Sequence, residues 1–365
     1  MKTTMLFIGL LLTSILYSQP PEYSAQLIGA NGYLKFPGAI NTPGSQLNTS
    51  EGCASICDAT GNLLFYSDGV KVWDRNHNQM PNGFGLLGNG SSSQSCLIIK
   101  QPQNANLYYI FTVTQDNAAI SMLRYNIVNI NTNGGFGDVI AKNIPLGVTT
   151  TEKIGYTYHC NNVDIWVVTK DKGNNYFRSF LVTSAGVNPM ISSIVPYILP
   201  SSAGTEVIGC MKISPDGGRL AICNYGANTV FLYRFNTQVG TVTSETLLSN
   251  TFAGPYGCEF SENSRYLYIG YNNGLNIHRY DLFSISPTIT RTSIATNVGN
   301  FLGSFQRIGS DIYIAQKNLF SLNTITNANT GGTYNANSIL LFNQSNFGLN
   351  PVLEKHIDVT IINTN

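Results

Sequence analysis

Charge is scarce in this sequence. Only 11% of its 365 residues are charged and the formal net charge is +1, so no electrostatic case exists for nucleic acid or an anionic membrane as partner. Helical patterning is missing too, since no segment beyond the first residues sustains an apolar period of 3.6 over three turns. Apart from Met5 to Leu16 no apolar run approaches membrane length, so the processed protein is not expected to span a bilayer. No G-x-S-x-G elbow, H-E-x-x-H helix or C-x₂-C pair occurs, which removes the usual signatures of serine hydrolases, zincins and zinc ribbons.

The first residues set the compartment. Lys2 gives a short positive start, Met5 to Leu16 is an apolar core, and Ser18 is a small residue suited to cleavage. Residues 1–18 therefore read as a signal peptide, residues 19–365 as one exported domain. Seven cysteines are an odd number, so at least one thiol is unpaired or bridges to another chain.

Short strands fill the remainder. Leu63 to Ser67, Leu107 to Val113, Val163 to Thr169, Arg219 to Cys223, Arg265 to Tyr271 and Asp311 to Ala315 are rich in β-branched and aromatic residues, and turn residues bound them. Asp58 to Asn62 and Ser214 to Gly218 read as hairpin turns. A small residue between two larger ones opens a strand repeatedly: Glu51-Gly52-Cys53, Gln94-Ser95-Cys96, Ile154-Gly155-Tyr156, Ile208-Gly209-Cys210, Tyr256-Gly257-Cys258 and Leu302-Gly303-Ser304. Phe347-Gly348-Leu349 is a weaker seventh copy. The copies recur at intervals of 43 to 60 residues, about the length of a four-stranded propeller blade of ~45 residues. Glycine suits the innermost strand, where backbones crowd the central axis. The expectation is an all-β, seven-bladed β-propeller, closed by strands from both chain ends, with Gly32 to Phe36 completing the last blade. Six blades with a loose C-terminal tail is the alternative.

Several of these residues resemble a family of secreted Bacteroidota propellers with WD-repeat-like blades. They are Asn48 to Cys53, Gly61 to Gly69, Val72 to His77, Met80 to Gly83, Glu152-Lys153, His159, Asp164 to Thr169 and Met211 to Gly217. The likeness spans roughly residues 27–349, and it implies the architecture and export rather than an activity. Members often carry a C-terminal gliding-motility-associated domain for type IX secretion. The sequence reads through to Asn365 without one, so the cell surface, the medium and the periplasm all stay open as destinations.

Other motifs weigh little. Gly83 to Gly88 spells a dinucleotide fingerprint, yet no strand and helix flank it. Asp74, Asn76 and Asn78 alternate like the first ligands of a calcium loop, but Gln79 and Gly85 stand where Gly and Glu are needed. Only a looser calcium site is left open there, and no other cofactor or metal is expected. Cys53, Cys96, Cys210 and Cys258 hold equivalent positions in four inner strands and read as small buried apolar packing. His77, His159, His278 and His356 are scattered turn or edge residues. Glu51, Glu152, Lys153 and Glu206 fall at the starts of inner strands, near one mouth of the channel, with Tyr156, His159 and Tyr256 as further ligand-binding candidates. The preferred reading is a non-catalytic scaffold for a glycan, peptide or protein. The alternative is a lactonase-like or other hydrolase using the mouth carboxylates.

Overall fold

The computed structural model describes residues 20–38, 40–41, 44–114, 121–199, 204–349 and 351–356. The expected signal peptide lies outside the described residues. Secondary structure among them consists of strands and single turns of 3₁₀ helix, in line with the absent helical period.

The chain opens with a three-stranded sheet of β1 (Ala25–Ile28), β2 (Gly32–Lys35) and β3 (Ile40–Asn41). Six antiparallel sheets of consecutive strands follow, each one blade. The first is β4 (Ala54–Cys57), β5 (Leu63–Ser67) and β6 (Val72–Asp74); the second is β7 (Cys96–Lys100), β8 (Leu107–Thr112), β9 (Arg124–Asn129) and β10 (Asp138–Pro145). In the third, β11 (Ile154–Tyr158), β12 (Ile165–Lys170) and β13 (Tyr176–Thr183) lead to β14 (Gly186–Val187) and β15 (Ile191–Ile194), which both pair with β13. The fourth contains β16 (Met211–Ile213), β17 (Arg219–Asn224), β18 (Thr229–Asn236) and β19 (Thr241–Ser249). The fifth contains β20 (Pro255–Phe260), β21 (Tyr266–Tyr271), β22 (Asn276–Asp281) and β23 (Thr292–Ala295). The sixth contains β24 (Leu302–Ile308), β25 (Asp311–Gln316), β26 (Ser321–Thr326) and β27 (Thr333–Leu340).

The repeated small residues mark where inner strands crowd one another. A Cβ on Gly52 would meet the Ser95 nitrogen at 2.1 Å, one on Gly257 the Gly303 oxygen at 2.2 Å, and one on Gly303 the Phe347 oxygen at 2.4 Å. Backbone hydrogen bonds also run between neighbouring inner strands: Gln94 N–H donates to the Glu152 carbonyl (3.1 Å), Cys210 N–H to Tyr256 (2.8 Å) and Ser304 N–H to Phe347 (2.7 Å). The inner strands therefore form one ring, with their starts at one mouth and their ends at the opposite face.

Seven blades are not what this ring carries. Phe347-Gly348-Leu349 touches both neighbours, since Phe347 N–H donates to the Ser50 carbonyl at 3.0 Å, but it forms no strand. The blade count is thus six, and the seven-blade expectation is corrected. The physical reason is that a tight backbone approach needs only a glycine, whereas a blade needs a paired strand behind it. The N-terminal sheet occupies the space between the sixth and first blades. Ile28 and Leu34 pack with Ala315 and Leu322 on one side, while Ala25 and Leu27 pack with Cys53 and Tyr66 on the other. The chain past β27 is not a loose tail either, because Leu349 and Leu353 are buried.

Candidate functional site

Glu51 precedes β4 at the mouth. Burial, then the charge of Glu152, pushes its carboxyl up to about 8, with the Tyr256 hydroxyl and Lys317 pulling the other way. Glu152 is buried and held, accepting from the Ser93 N–H and the Ser93 hydroxyl at 3.0 Å each. Lys153 is buried beside it and donates to the Val207 carbonyl. Tyr256, on β20, is buried, and burial followed by the charge of Glu51 holds its phenol well above the usual range. Its ring packs 5.4 Å from that of Phe347, over which the Lys317 ammonium sits at 5.6 Å.

Three of the candidate residues therefore converge (Glu51, Glu152 and Tyr256), with Lys153 next to them; the others do not. Glu206 belongs to a 3₁₀ turn, Thr205–Val207, and its carboxylate folds back over Gly204. Tyr156 lies further along β11, where burial raises its phenol and the Tyr23 hydroxyl is its neighbour. His159 follows the end of β11, on the opposite face, where its Nε2 reaches the Gln238 carbonyl at 3.2 Å. Strand direction explains the split: residues only a few positions apart on an inner strand reach opposite ends of the channel.

The channel is filled. Lys212 Nζ donates to Glu259 and to Gln306 at 2.8 Å each, and the Glu259 carboxylate also accepts the Arg307 N–H at 3.3 Å. Arg307 pairs with Glu354 at 2.6 Å, which draws the segment Pro351 to Glu354 across the end of the channel. The cavity left among these groups is about 50 Å³. A second, about 20 Å³, is lined by Cys53, Cys96 and Cys210. All seven cysteines are free and all but Cys160 are buried. Burial pushes the Cys96 and Cys210 thiols up to about 12. Lys212, Glu259 and Gln306 escaped the sequence reading, although a charged or amide residue inside an otherwise apolar inner strand was a usable signal.

Two other expectations resolve locally. Asp74 Oδ1 accepts the N–H groups of Asn76 (2.8 Å) and Asn78 (3.0 Å), so the carboxylate first considered for calcium closes its own turn. His278 is not a turn or edge residue. It lies buried in β22, 4.3 Å from the Phe252 ring, and burial pushes it down to about 4.

The opposite face carries the open space. A groove of about 600 Å³ runs over the ends of the first three inner strands, lined by Tyr23, Tyr108 and Tyr158 together with Lys100, Gln101 and Val163. Both ends of the described chain border it through Pro20, Leu353 and Lys355. A neighbouring groove of about 540 Å³ lies beside the N-terminal sheet, between Lys35, Phe36, Thr60 and Tyr313.

No family model matches this chain, and no curated protein matches it either. Solved structures do resemble it. One is a protein of Bacteroides fragilis provisionally assigned as a 6-phosphogluconolactonase, 11% identical, with a TM-score of 0.56 over 89% of this chain and 96% of the other. Another, from Bacteroides uniformis with the same provisional assignment, is 11% identical with a TM-score of 0.55 over 89% and 98%. Likeness at this identity shows the fold, an all-β propeller.

Proposed function

We propose that the protein is an exported, non-catalytic β-propeller that holds a glycan, peptide or protein segment in the groove of the face opposite the Glu51 mouth. The observation that carries this reading is where the open volume lies. The channel between the inner strands is filled with paired side chains, whereas the groove of about 600 Å³ has the size and the aromatic and amide lining of a ligand site. Tyrosine faces and amide side chains suit polar extended ligands, and the rigid blades hold them in place. Export rests on the Lys2, Met5 to Leu16 and Ser18 pattern and on the resemblance to secreted propellers. No described helix is long and apolar enough to cross a membrane.

Probing the purified protein against a glycan array and a peptide array tests this. Specific retention on a related set of ligands is expected, and blank arrays at high protein concentration would overturn the reading.

One observation favours a second reading, hydrolysis at the mouth. Glu51 stands beside Glu152, and its own carboxyl, pushed up to about 8 by burial and then by Glu152, holds a proton at neutral pH as a general acid must. The structural relatives provisionally assigned as 6-phosphogluconolactonases make lactones the substrates to try. Turnover of a lactone panel that is lost in Glu51→Gln would establish it, and no turnover by the native protein would dismiss it.

A further inference from the structure

The groove of about 600 Å³ holds charged groups that the fold leaves unused. Glu22, Lys100 and Lys355 line it, and none of them has an ion pair or a hydrogen bond among the described residues. Glu22 stands on the 3₁₀ turn Pro21–Tyr23, exposed Lys100 ends β7, and exposed Lys355 lies two residues after buried Leu353. Tyr108 and half-buried Tyr158 share the groove, and neither hydroxyl is hydrogen-bonded among the described residues. Burial pushes the Tyr108 phenol up to about 12, with the charge of Glu22 next, and the same two causes raise Tyr158. The Glu22 carboxylate therefore lies close to both hydroxyls.

The sum of these charges decides what they select. Lys100 and Lys355 are balanced by Glu22 and by Asp58, whose carboxylate on the turn after β4 also acts on Tyr108. An acidic or a basic ligand gains little from a balanced set. What remains is an array of unmet donors and acceptors: two ammoniums, two phenols, the exposed Gln103 amide, and a carboxylate able to accept charge-assisted hydrogen bonds. A neutral polyol answers such an array, because each of its hydroxyls both donates and accepts. An extended peptide answers it less well. The groove lies over strand ends and offers no free sheet edge, the feature that pairs with a peptide backbone.

We propose that the ligand of this groove is a neutral glycan, with hydroxyls bonded to the Glu22 carboxylate, a sugar ring laid against Tyr158, and Lys100 and Lys355 donating to further sugar oxygens. The assignment rests on the groove reading above and narrows it to one ligand class.

Calorimetric titration of the full protein with neutral hexasaccharides of glucose, mannose, xylose and galactose, and with acidic hexagalacturonate, tests it. At least one neutral hexasaccharide should bind tenfold or more tightly than hexagalacturonate. Its Kd should change less than twofold between about 50 and about 500 mM sodium chloride, since no charge pair is screened. Glu22→Gln, on a surface turn, should weaken that binding at least tenfold, and Lys317→Met, exposed near the mouth, should leave it unchanged. Tighter binding of hexagalacturonate would overturn the proposal, as would an unchanged Kd in Glu22→Gln. If no hexasaccharide binds while the strongest array peptide does, with an affinity that Val163→Arg reduces, the glycan assignment falls and the groove reading stands. If Val163→Arg weakens no ligand at all, both fall.

Discussion

Gly348 is the position where the ring allows least room. A Cβ built there would stand 1.6 Å from the Glu51 carbonyl oxygen and 2.7 Å from its carbon. Both atoms are backbone, so no side-chain rotation relieves the clash. Van der Waals contact between such atoms needs roughly 3.2–3.5 Å, so the Gly348→Ala backbone has to move by more than ~1 Å against a close-packed ring. Overpacking of that kind costs about 1–3 kcal/mol, and a backbone–backbone clash belongs at the upper end. With unfolding entropy of about 2.1 cal/mol/K per residue over a chain of this length, ~3 kcal/mol lowers Tm by about 4 °C. Gly155→Ala is the control. Its Cβ would meet the Met211 methyl at 3.4 Å and no backbone, and alanine in a strand gains about 0.5–1 kcal/mol over glycine, so its Tm should hold or rise slightly. Scanning calorimetry of the two variants beside the native protein separates them. If both shift Tm equally, within about 1 °C, the claim that the repeated glycines serve backbone contact around one axis is wrong.

Glu354→Gln removes the partner of buried Arg307; a loss of about 3 kcal/mol in denaturant unfolding is expected, together with new proteolytic cleavage between Pro351 and Lys355. Glu51 titrates at about 8 in the folded protein against an ordinary value of 4.5, so the native state binds the extra proton between those values. Stability from this group is therefore full below the unfolded value and is lost as pH rises through about 8, and a Tm–pH series should be flatter in Glu51→Gln than in the native protein. Deleting residues 27 to 38 removes β2 and half of β1 from the sheet packed between the sixth and first blades; cooperative unfolding should vanish, and a cooperatively folded deletion variant would refute its closing role. With one exposed cysteine among seven, a thiol reagent should modify one thiol quickly in the native protein and all seven after unfolding.

Much of the scaffold was legible because strands carry their own signals. Leu63 to Ser67 coincides with β5, Arg265 to Tyr271 takes in β21, and the glycines at 52, 257, 303 and 348 mark real backbone contact between neighbouring inner strands. Blade number was less legible, since Phe347-Gly348-Leu349 repeats the contact without repeating the strand. The mouth was legible in part. Glu51 and Tyr256 each stand one residue before the glycine of their inner strand, Glu152 stands three before its own, and all three converge, but Glu206 sits on a 3₁₀ turn that carries it elsewhere. The far groove could not be read at all, because Tyr23, Tyr108, Tyr158 and Leu353 meet only through ring closure. No local pattern links residues so distant in sequence.

The groove claim is tested most directly by calorimetric titration of the strongest array ligand. Val163 is 41% exposed on the groove wall, so Val163→Arg fills the groove without disturbing the core. The account predicts at least a tenfold weaker Kd in Val163→Arg and an unchanged Kd in Glu51→Gln. An unchanged Kd in Val163→Arg, with a weakened one in Glu51→Gln, would place the ligand at the mouth and contradict it.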